Sequence, residues 1–317
     1  MIELKNIEKS FGKHKVIKNI SLEFEKGKIS MLLGPSGCGK STMLMLMNHL
    51  LKLDEGNIYV DGVDISQLSN EVLRRNMGYA VQGTGLFPHM RVKDNIAVVP
   101  KLLKWDKAKC DARVYEMLEL VGLPKNYDHK YPHQLSGGEA QRVGVARALA
   151  ADPDILLMDE PFGALDPISR TRLQQEFLKI QKKLHKTVVF VTHDVGEAVR
   201  LGDKIFILHE GELVAQGNPV SIANEAEDVA KEFLGDSYSL ELLDKYVVGE
   251  FESSLIEMNL NRTRDTSSVV LNKDTTLKDL LSFLLISKED YVIVQIEEET
   301  YEVDFNTLMT LFRGVTC

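Results

Sequence analysis

The sequence has little cysteine and tryptophan, and it contains no apolar run long enough to cross a membrane. Three cysteines and one tryptophan occur among 317 residues, which excludes a disulfide framework and favours a reducing compartment. The longest strongly apolar stretch without a charge covers residues 41–51, short of the roughly 20 residues that a bilayer requires. Residues 1–10 mix charged and apolar side chains, so we expect neither a signal peptide nor a transit peptide. Secretion, a self-contained membrane channel and a fibrous protein are therefore excluded.

Basic residues are scarce relative to acidic ones only toward the C-terminus. Residues 1–235 carry 31 lysines and arginines and 31 aspartates and glutamates, whereas residues 236–317 carry 7 and 16 and so hold the whole net charge of −9. A basic patch, which a nucleic-acid partner would require, is not evident. The change in charge predicts a domain boundary near residue 235.

The hydrophobic pattern predicts an α/β fold. Residues 2–24 are typical of two strands joined by a turn at Gly12, and residues 29–33 form a short apolar strand. A helix over 40–51 and a helix-rich region over 92–150 follow. Strands and helices then alternate, with strands at 155–158, 187–192, 204–208 and 213–215 and helices at about 167–185 and 195–201. Such alternation indicates a largely parallel sheet covered by helices.

A phosphate-binding loop lies between the strand at 29–33 and the following helix. Residues 34–41, GPSGCGKS, fit the pattern G-x-x-x-x-G-K-[ST] in the strand–loop–helix context that supports it. Its glycines let backbone N–H groups surround phosphates, and the new helix directs its positive end toward them. Lys40 can bridge the β- and γ-phosphates, and the Ser41 hydroxyl can ligate Mg²⁺. The predicted phosphate-binding residues are Gly34, Pro35, Ser36, Gly37, Cys38, Gly39, Lys40, Ser41 and Thr42, with Cys38 interpreted as a small residue that fits a tight loop.

Two carboxylates end the apolar strand at 155–158. Side chains alternate along a strand, so Asp159 and Glu160 should face opposite sides and do different work. Asp159 is predicted to hold the Mg²⁺ shell, as in other P-loop enzymes. Glu160 is predicted to orient or deprotonate the water that attacks the γ-phosphate. Together with the phosphate-binding loop, this pair predicts hydrolysis of a nucleoside triphosphate.

Residues 135–142, LSGGEAQR, resemble the LSGGQ signature of ABC-type ATPases. Other family elements follow in order, and the resemblance covers residues 1–235. It implies the ABC ATPase fold, an α/β P-loop NTPase with a parallel-sheet core, an antiparallel β subdomain and a helical subdomain. Glu139 stands where the family usually has glutamine, and we expect a mild effect. By resemblance, the further site residues are Gln82 of the Q-loop, Asp166 of the D-loop, the switch histidine His193 and the adenine-stacking Phe11.

The resemblance also implies an ATP site that two subunits share. In this family ATP is sandwiched between head-to-tail subunits, so Ser136, Gly137 and Gly138 are expected to contact the γ-phosphate of ATP held by the partner. Glu160, His193 and Gln82 are expected to act in catalysis, with Gln82 reaching Mg²⁺ alongside Ser41 and Asp159. Closure of a homodimer would complete the site.

Residues 78–90 and 95–105 look like the ATPase subunits of osmoprotectant importers, which move glycine betaine, carnitine, choline and related quaternary amines. Residues 131–134 and 159–167 fit the same branch. The implied partners are separate transmembrane permease subunits and, indirectly, an extracytoplasmic solute-binding protein, which places the chain on the cytoplasmic face of the membrane. The alternatives are an importer for another betaine-like molecule, such as ergothioneine, or for an amino acid, and a soluble ABC ATPase without a transport role.

The acidic region 236–317 is predicted to form a helical connector, over 239–247 and 252–259, followed by a small α/β unit. Its elements are a strand at 268–271, a helix at 276–285 capped by Asp274 or Thr275, a hairpin at 291–296 and 300–303, and a helix at 305–312. This order resembles a single CBS motif. CBS nucleotide sites tend to use a glycine and an aspartate where this chain has Tyr301 and Thr307, with Asp304 nearby. Solubilisation, dimerisation, regulation by a nucleotide and sensing of ionic strength therefore stay open as roles for this region.

Overall fold

A computed structural model describes residues 1–83, 85–225, 228–235, 238–257, 270–286, 291–297 and 299–316. The strands are β1 (Ile2–Phe11), β2 (His14–Phe24), β3 (Ile29–Leu33), β4 (Glu55–Val60), β5 (Val63–Asp64), β6 (Met77–Ala80), β7 (Ile155–Asp159), β8 (Thr187–Thr192), β9 (Lys204–His209), β10 (Glu212–Gly217), β11 (Val270–Asn272), β12 (Tyr291–Ile296) and β13 (Glu299–Asp304).

Helices connect most of these strands, as the alternating pattern predicts. They are α1 (Lys40–Met47), α2 (Asn70–Arg75), α3 (Val92–Ile96), α4 (Val98–Leu102), α5 (Lys107–Leu120), α6 (Gly137–Leu149), α7 (Pro167–Leu184), α8 (Val195–Leu201), α9 (Pro219–Glu225), α10 (Asp228–Leu234), α11 (Tyr238–Lys245), α12 (Glu252–Glu257), α13 (Leu277–Ile286) and α14 (Phe305–Thr316). None of the helices in the described ranges is both long and apolar enough to span a bilayer.

Contacts divide the chain into two compact units, residues 1–194 with 201–216 and residues 195–200 with 217–317. Most of α8 thus belongs to the second unit, where Arg200 forms an ion pair with Asp244 of α11. Lys245 of α11 also donates from Nζ to the carbonyl oxygen of Val199 over 3.1 Å. The functional boundary at residue 235 stays a prediction.

The first unit contains the core sheet, of strand order β10-β9-β3-β8-β7-β6. β3 pairs in parallel with β8 and β9, and β7 pairs in parallel with β6 and β8. All five residues of β3 are buried, as expected for a central strand covered on both faces. An antiparallel sheet of order β2-β1-β4-β5 completes the β part of this unit. The predicted parallel core and antiparallel β subdomain are both present.

Parallel pairing brings the carboxyl ends of neighbouring strands to one edge of the sheet. The phosphate-binding loop follows β3, His193 follows β8, Asp159 ends β7, and Gln82 comes two residues after β6. Open α/β sheets bind ligands outside this edge. The topology therefore collects the predicted hydrolytic residues in one place.

The helix predicted over residues 40–51 is shorter in the structure, where α1 ends at Met47. His49 adopts a left-handed conformation with φ +51°, a common way for a helix to terminate. The guanidinium of Arg74 donates to the carbonyl oxygens of Asn48 and His49 over 3.1 and 2.8 Å. These carbonyls are thus satisfied by a side chain instead of by a further helical turn. A second difference is strand β6 (Met77–Ala80), because the hydrophobic pattern does not predict a strand over these residues.

The second unit contains the sheet of order β11-β12-β13, with β11 and β12 parallel and β12 and β13 antiparallel. The predicted order of strand, helix, hairpin and helix is confirmed, although Ser268 and Val269 of the predicted first strand lie outside the described residues. The predicted cap of α13 is wrong, because Thr276 Oγ1 accepts the N–H of Asp279 over 3.0 Å. The CBS-like character of this unit stays a prediction.

Two of the positions compared with CBS sites have structural roles here. Asp304 Oδ1 accepts the N–H of Thr307 over 2.7 Å at the start of α14, which is ordinary helix capping. Tyr301 is buried, and its hydroxyl donates to Glu299 over 2.9 Å.

Candidate functional site

The phosphate-binding loop is built around backbone conformations that glycine favours. Gly34 (φ +151°) has no room for a side chain, because a Cβ there would lie 2.2 Å from the carbonyl oxygen of Leu208. Gly39 (φ +107°) immediately precedes α1 in the left-handed region. Ser36 and Gly37 form the exposed tip of the loop. The loop lines a cavity of about 640 Å³ together with residues 14–16, Lys18 and residues 209–211.

Lys40 lies inside this loop and is almost fully buried. Its Nζ donates to the carbonyl oxygens of Gly34 and Pro35 over 2.7 and 2.8 Å. Cys38 Sγ lies 3.7 Å from the same ammonium group. Burial raises the pKa of the Cys38 thiol, in keeping with its interpretation as a small packing residue.

Ser41 and Asp159, two of the side chains predicted to hold Mg²⁺, are in contact beside the loop. The Ser41 hydroxyl donates to Asp159 Oδ1 over 3.0 Å. Asp159 is buried at the end of β7, and this burial raises the pKa of its carboxyl while the Ser41 hydrogen bond lowers it. Burial, with a contribution from the Asp159 charge, also raises the pKa of Tyr79 to about 12.

Glu160 is contacted from two other strand ends. Its Oε2 accepts a hydrogen bond from Gln82 Nε2 over 3.1 Å, and its Oε1 lies 2.9 Å from His193 Nδ1. The backbone leaves the strand at this residue, because Glu160 has a left-handed φ of +45°. The structure therefore brings Gln82, Glu160 and His193 together, whereas Asp159 is hydrogen-bonded to Ser41.

The signature residues begin α6. Ser136 is the N-cap, its Oγ accepts the N–H of Glu139 over 3.2 Å, and Glu139 Oε2 accepts the N–H of Ser136 over 2.7 Å. This is a capping box. The Tyr127 hydroxyl also donates to Glu139 Oε1 over 2.9 Å. Gly137 and Gly138 form the first turn, and a Cβ on Gly138 would lie 3.0 Å from the Leu165 side chain.

The unusual Glu139 therefore stabilises the start of α6. The hydrogen bond from the Ser136 N–H is the main cause that lowers the pKa of the Glu139 carboxyl. Because the folded-state pKa is lowered, the ionised carboxylate contributes stability above the unfolded pKa of about 4.3, and this contribution is lost as the pH falls through the folded value.

Glu139→Gln is expected to lower the free energy of unfolding by less than about 1 kcal/mol at pH 7, because glutamine keeps an acceptor oxygen for the Ser136 N–H. Urea unfolding of both proteins checks this, and the difference should shrink below about pH 4 as Glu139 is protonated. A difference that is the same at pH 7 and pH 3 would contradict the role assigned to the charge.

Asp166 and Phe11 lie at the ends of other elements. Asp166 is the N-cap of α7, and its Oδ1 accepts the N–H of Ser169 over 3.0 Å. Phe11 ends β1 and is 49% exposed, and Lys9 Nζ lies 5.7 Å from the centroid of its ring. An exposed ring at this position has a free surface that a base could stack on, but Phe11 is not among the residues that line the 640 Å³ cavity.

Sequence reasoning missed Gln141, which is buried in α6. Its Nε2 donates to the carbonyl oxygen of Glu160 over 2.8 Å, and its Oε1 accepts the N–H of Ala164 over 2.9 Å. Its place immediately before Arg142 in the signature segment gave no indication of these contacts. They depend on how α6 packs against the loop that follows β7.

The segment after Gln82 is organised by a buried asparagine. Asn95 Oδ1 accepts the N–H of Phe87 over 2.8 Å, and its Nδ2 donates to the carbonyl oxygens of Phe87, Met90 and Arg91. Arg147 donates to the carbonyl oxygen of Gly85 over 2.7 Å. These bonds fix the stretch in which the resemblance to osmoprotectant importers is most specific.

The sequence is similar to those of known ABC transporter proteins. A sequence profile of the ABC transporter family matches residues 17–163. The glycine betaine uptake system ATP-binding protein YehX of Escherichia coli (strain K12) is 45% identical over 287 residues, covering 90% of this chain and 91% of that protein. The choline transport ATP-binding protein OpuBA of Bacillus subtilis (strain 168) is 42% identical over 304 residues, covering 95% of this chain and 77% of that protein.

Solved structures show the same fold. A dimeric bacterial ABC transporter cassette is 36% identical with a TM-score of 0.65, covering 69% of this chain and 98% of that one. A dimeric post-hydrolysis state of an ATP-binding cassette, bound to ADP and Pi, is 34% identical with a TM-score of 0.64, covering the same shares of the two chains.

The chain belongs to the family of ABC transporter ATP-binding proteins, and its activity is the hydrolysis of ATP. The predicted ABC ATPase fold and the predicted relationship to the ATPases of osmoprotectant importers are both confirmed.

Proposed function

We propose that this ATPase powers the import of a quaternary-amine osmoprotectant through a separate membrane permease, with Glu160 as the base of the hydrolytic step. The observation that carries the catalytic part is the pair of contacts from Gln82 and His193 to the two carboxylate oxygens of Glu160. The substrate class is supported by relatives named for glycine betaine and choline transport.

In the proposed reaction, Glu160 accepts a proton from a water molecule as the water oxygen attacks the γ-phosphorus of ATP. The bond from that phosphorus to the β–γ bridging oxygen breaks, and ADP and phosphate leave. Gln82 and His193 hold the carboxylate in place, with His193 also able to contact the γ-phosphate. A base positioned in this way contributes about 10²–10⁴ to the rate.

Mg²⁺ fits the oxygen donors beside the phosphate-binding loop. The Ser41 hydroxyl and the Asp159 carboxylate are hard ligands 3.0 Å apart, of the kind this ion prefers alongside substrate phosphates. Gln82 is the third proposed ligand. Within the described ranges, no cluster of three or more His, Cys, Asp or Glu side chains is placed to hold a metal ion. In the proposed site, the phosphate oxygens of ATP would supply the remaining ligands. Bound there, the ion would offset the charge of the phosphate oxygens.

We further propose that the working form is a homodimer in which Ser136, Gly137 and Gly138 contact ATP bound to the partner. Two solved relatives are dimers. The N-terminus of α6 presents N–H groups and a hydroxyl that suit a phosphate, and Ser136 and Gly137 are exposed.

A test of this arrangement pairs Ser136→Arg with Lys40→Ala. The assay keeps ATP near the wild-type Kd, so that a site with the Lys40→Ala change stays largely empty. If the signature acts in trans, the heterodimer has one intact site and one site with both defects, so it should regain part of the ATPase activity that each homodimer lacks under these conditions. The control heterodimer combines a chain that carries both substitutions with a wild-type chain. Each of its two sites then has one defect, so this heterodimer should stay inactive. Chains with two different affinity tags allow both heterodimers to be purified. Equal ATPase activities of the two heterodimers would contradict the head-to-tail arrangement.

The proposed contact with the permease is the groove beside the Gln82 loop. A cavity of about 320 Å³ has largely apolar walls there, to which Tyr79, Val81, Phe87, Val98, Val99 and Arg147 contribute. Val81, which lines this cavity, directly precedes Gln82 in the chain, so a permease segment that moves there would act next to Gln82 and its partner Glu160. Docking of this kind places the chain at the cytoplasmic face of the membrane, and the solute-binding protein would act from the other side.

Co-purification tests the transport role. The tagged chain should retain its permease in detergent, and the associated solute-binding protein should bind glycine betaine, carnitine or choline in preference to amino acids. Binding of ergothioneine or of an amino acid alone would overturn the proposed substrate class. A chain that retains no membrane protein would favour a soluble ATPase.

A further inference from the structure

Gln141 joins the signature helix to the main chain of the proposed base. It lies in the second turn of α6 and is 4% exposed. Its Nε2 donates to the carbonyl oxygen of Glu160, and its Oε1 accepts the N–H of Ala164. One carboxamide thus satisfies two backbone groups in the loop between β7 and α7.

The conformation of Glu160 is one that needs such support. Its φ of +45° lies in the left-handed region, which a non-glycine residue adopts only when its surroundings hold it there. The Glu160 N–H donates to the carbonyl oxygen of Val191 over 3.0 Å. The Glu160 carbonyl accepts from Gln141 and from the N–H of Gly163, the latter over 3.2 Å.

This backbone conformation decides where the carboxylate lies. In a continued strand the side chain would follow the alternation of β7, whereas in the observed conformation it meets Gln82 and His193. Losing the Gln141 bonds would leave the Glu160 carbonyl and the Ala164 N–H with fewer partners, and would weaken the restraint on the Glu160 backbone.

We infer that Gln141 is a positioning residue for ATP hydrolysis, because its carboxamide bridges the backbone of Glu160 and of Ala164 and so holds the carboxylate against Gln82 and His193. The inference rests on the proposed role of Glu160 as the base. It adds that α6, whose first residues form the signature, is connected by one side chain to the catalytic carboxylate of the same subunit.

Gln181 provides a matched control. It is a buried glutamine of α7 whose Nε2 donates to the carbonyl oxygens of Gly27 and Lys186 over 2.7 and 3.1 Å. Gln181→Met and Gln141→Met both replace a buried carboxamide by an unbranched apolar side chain. Only the second change touches the Glu160 loop.

The experiment measures ATP hydrolysis by the full chain in complex with its permease. Gln141→Met is expected to lower kcat by roughly 10- to 100-fold, since small displacements of a catalytic group have effects of this size, while KM for ATP changes by less than about threefold because the phosphate-binding loop is untouched. Gln181→Met should keep kcat near wild type. Gln141→Glu retains the acceptor for Ala164 but loses the donor to Glu160, so it should resemble Gln141→Met and replace it if that variant does not fold.

Testing Gln141→Met in a chain that already carries Glu160→Gln distinguishes a positioning role of Gln141 from general destabilisation of the protein. In Glu160→Gln, single-turnover hydrolysis should fall no further when Gln141→Met is added, because the positioned base is already gone. An equal fractional loss in both backgrounds, an equal loss in Gln181→Met, or a kcat within twofold of wild type for Gln141→Met would overturn the inference. Wild-type turnover by Glu160→Gln alone would instead overturn the role of Glu160, and this inference with it.

Discussion

Glu160→Gln should reduce ATP turnover by about 10²–10⁴, the usual contribution of a positioned general base. Glutamine has the same length and can keep hydrogen bonds with Gln82 and His193, so the geometry around residue 160 should survive. It cannot accept the proton of the attacking water at neutral pH. Because ATP is bound but not consumed, the closed dimer should accumulate, and size-exclusion chromatography with ATP should show it.

The matched control is Glu176→Gln, which removes an exposed carboxylate of α7 paired with Lys179. This variant should hydrolyse ATP at the wild-type rate, since the energy of an exposed pair is small. Turnover by Glu160→Gln within threefold of wild type, with ATP saturating, would remove Glu160 from the catalytic role.

Lys40→Ala is expected to weaken ATP binding by roughly 10- to 100-fold, because charge-assisted hydrogen bonds contribute about 1.5–3 kcal/mol each. Lys40 Nζ is held by the carbonyl oxygens of Gly34 and Pro35 within the loop that would surround the phosphates. Its positive charge is therefore already placed before ATP arrives. Titration with a fluorescent ATP analogue measures the change in Kd.

Lys26→Ala serves as the control for this variant, because Lys26 is exposed between β2 and β3. Its Kd for ATP should match that of the wild type. Lys40→Ala and Glu160→Gln should therefore fail in opposite ways, the first in binding and the second in turnover. An unchanged Kd for Lys40→Ala would contradict the phosphate-binding role.

The elements around the site could be predicted because they depend on local sequence. The apolar run of β3, the glycines of the loop and the apolar periodicity of α1 lie within about 20 residues, and each is specified by its own pattern. The end of α1 could not be predicted in this way. It depends on Arg74, which is distant in sequence and whose contacts with Asn48 and His49 exist only in the folded chain.

For Asp159 and Glu160, the arrangement expected from strand alternation is present, but alternation is only part of its cause. Strand alternation predicts that Asp159 and Glu160 face different ways, and their partners do differ. However, β7 ends at Asp159 and Glu160 is left-handed. The backbone turn that places Glu160 depends on Gln141, a helix residue about twenty positions earlier, and no local pattern encodes that contact. The roles of the site residues stay predictions for the experiments above.

ATP-driven uptake into membrane vesicles tests the central proposal most directly. The permease would be reconstituted in vesicles whose lumen contains this chain and ATP. The solute-binding protein and radiolabelled glycine betaine, carnitine or choline would be added outside. We predict accumulation of at least one of these quaternary amines that requires luminal ATP and is abolished by Glu160→Gln. Accumulation that is equal with and without ATP, or that persists in Glu160→Gln, would contradict the proposal.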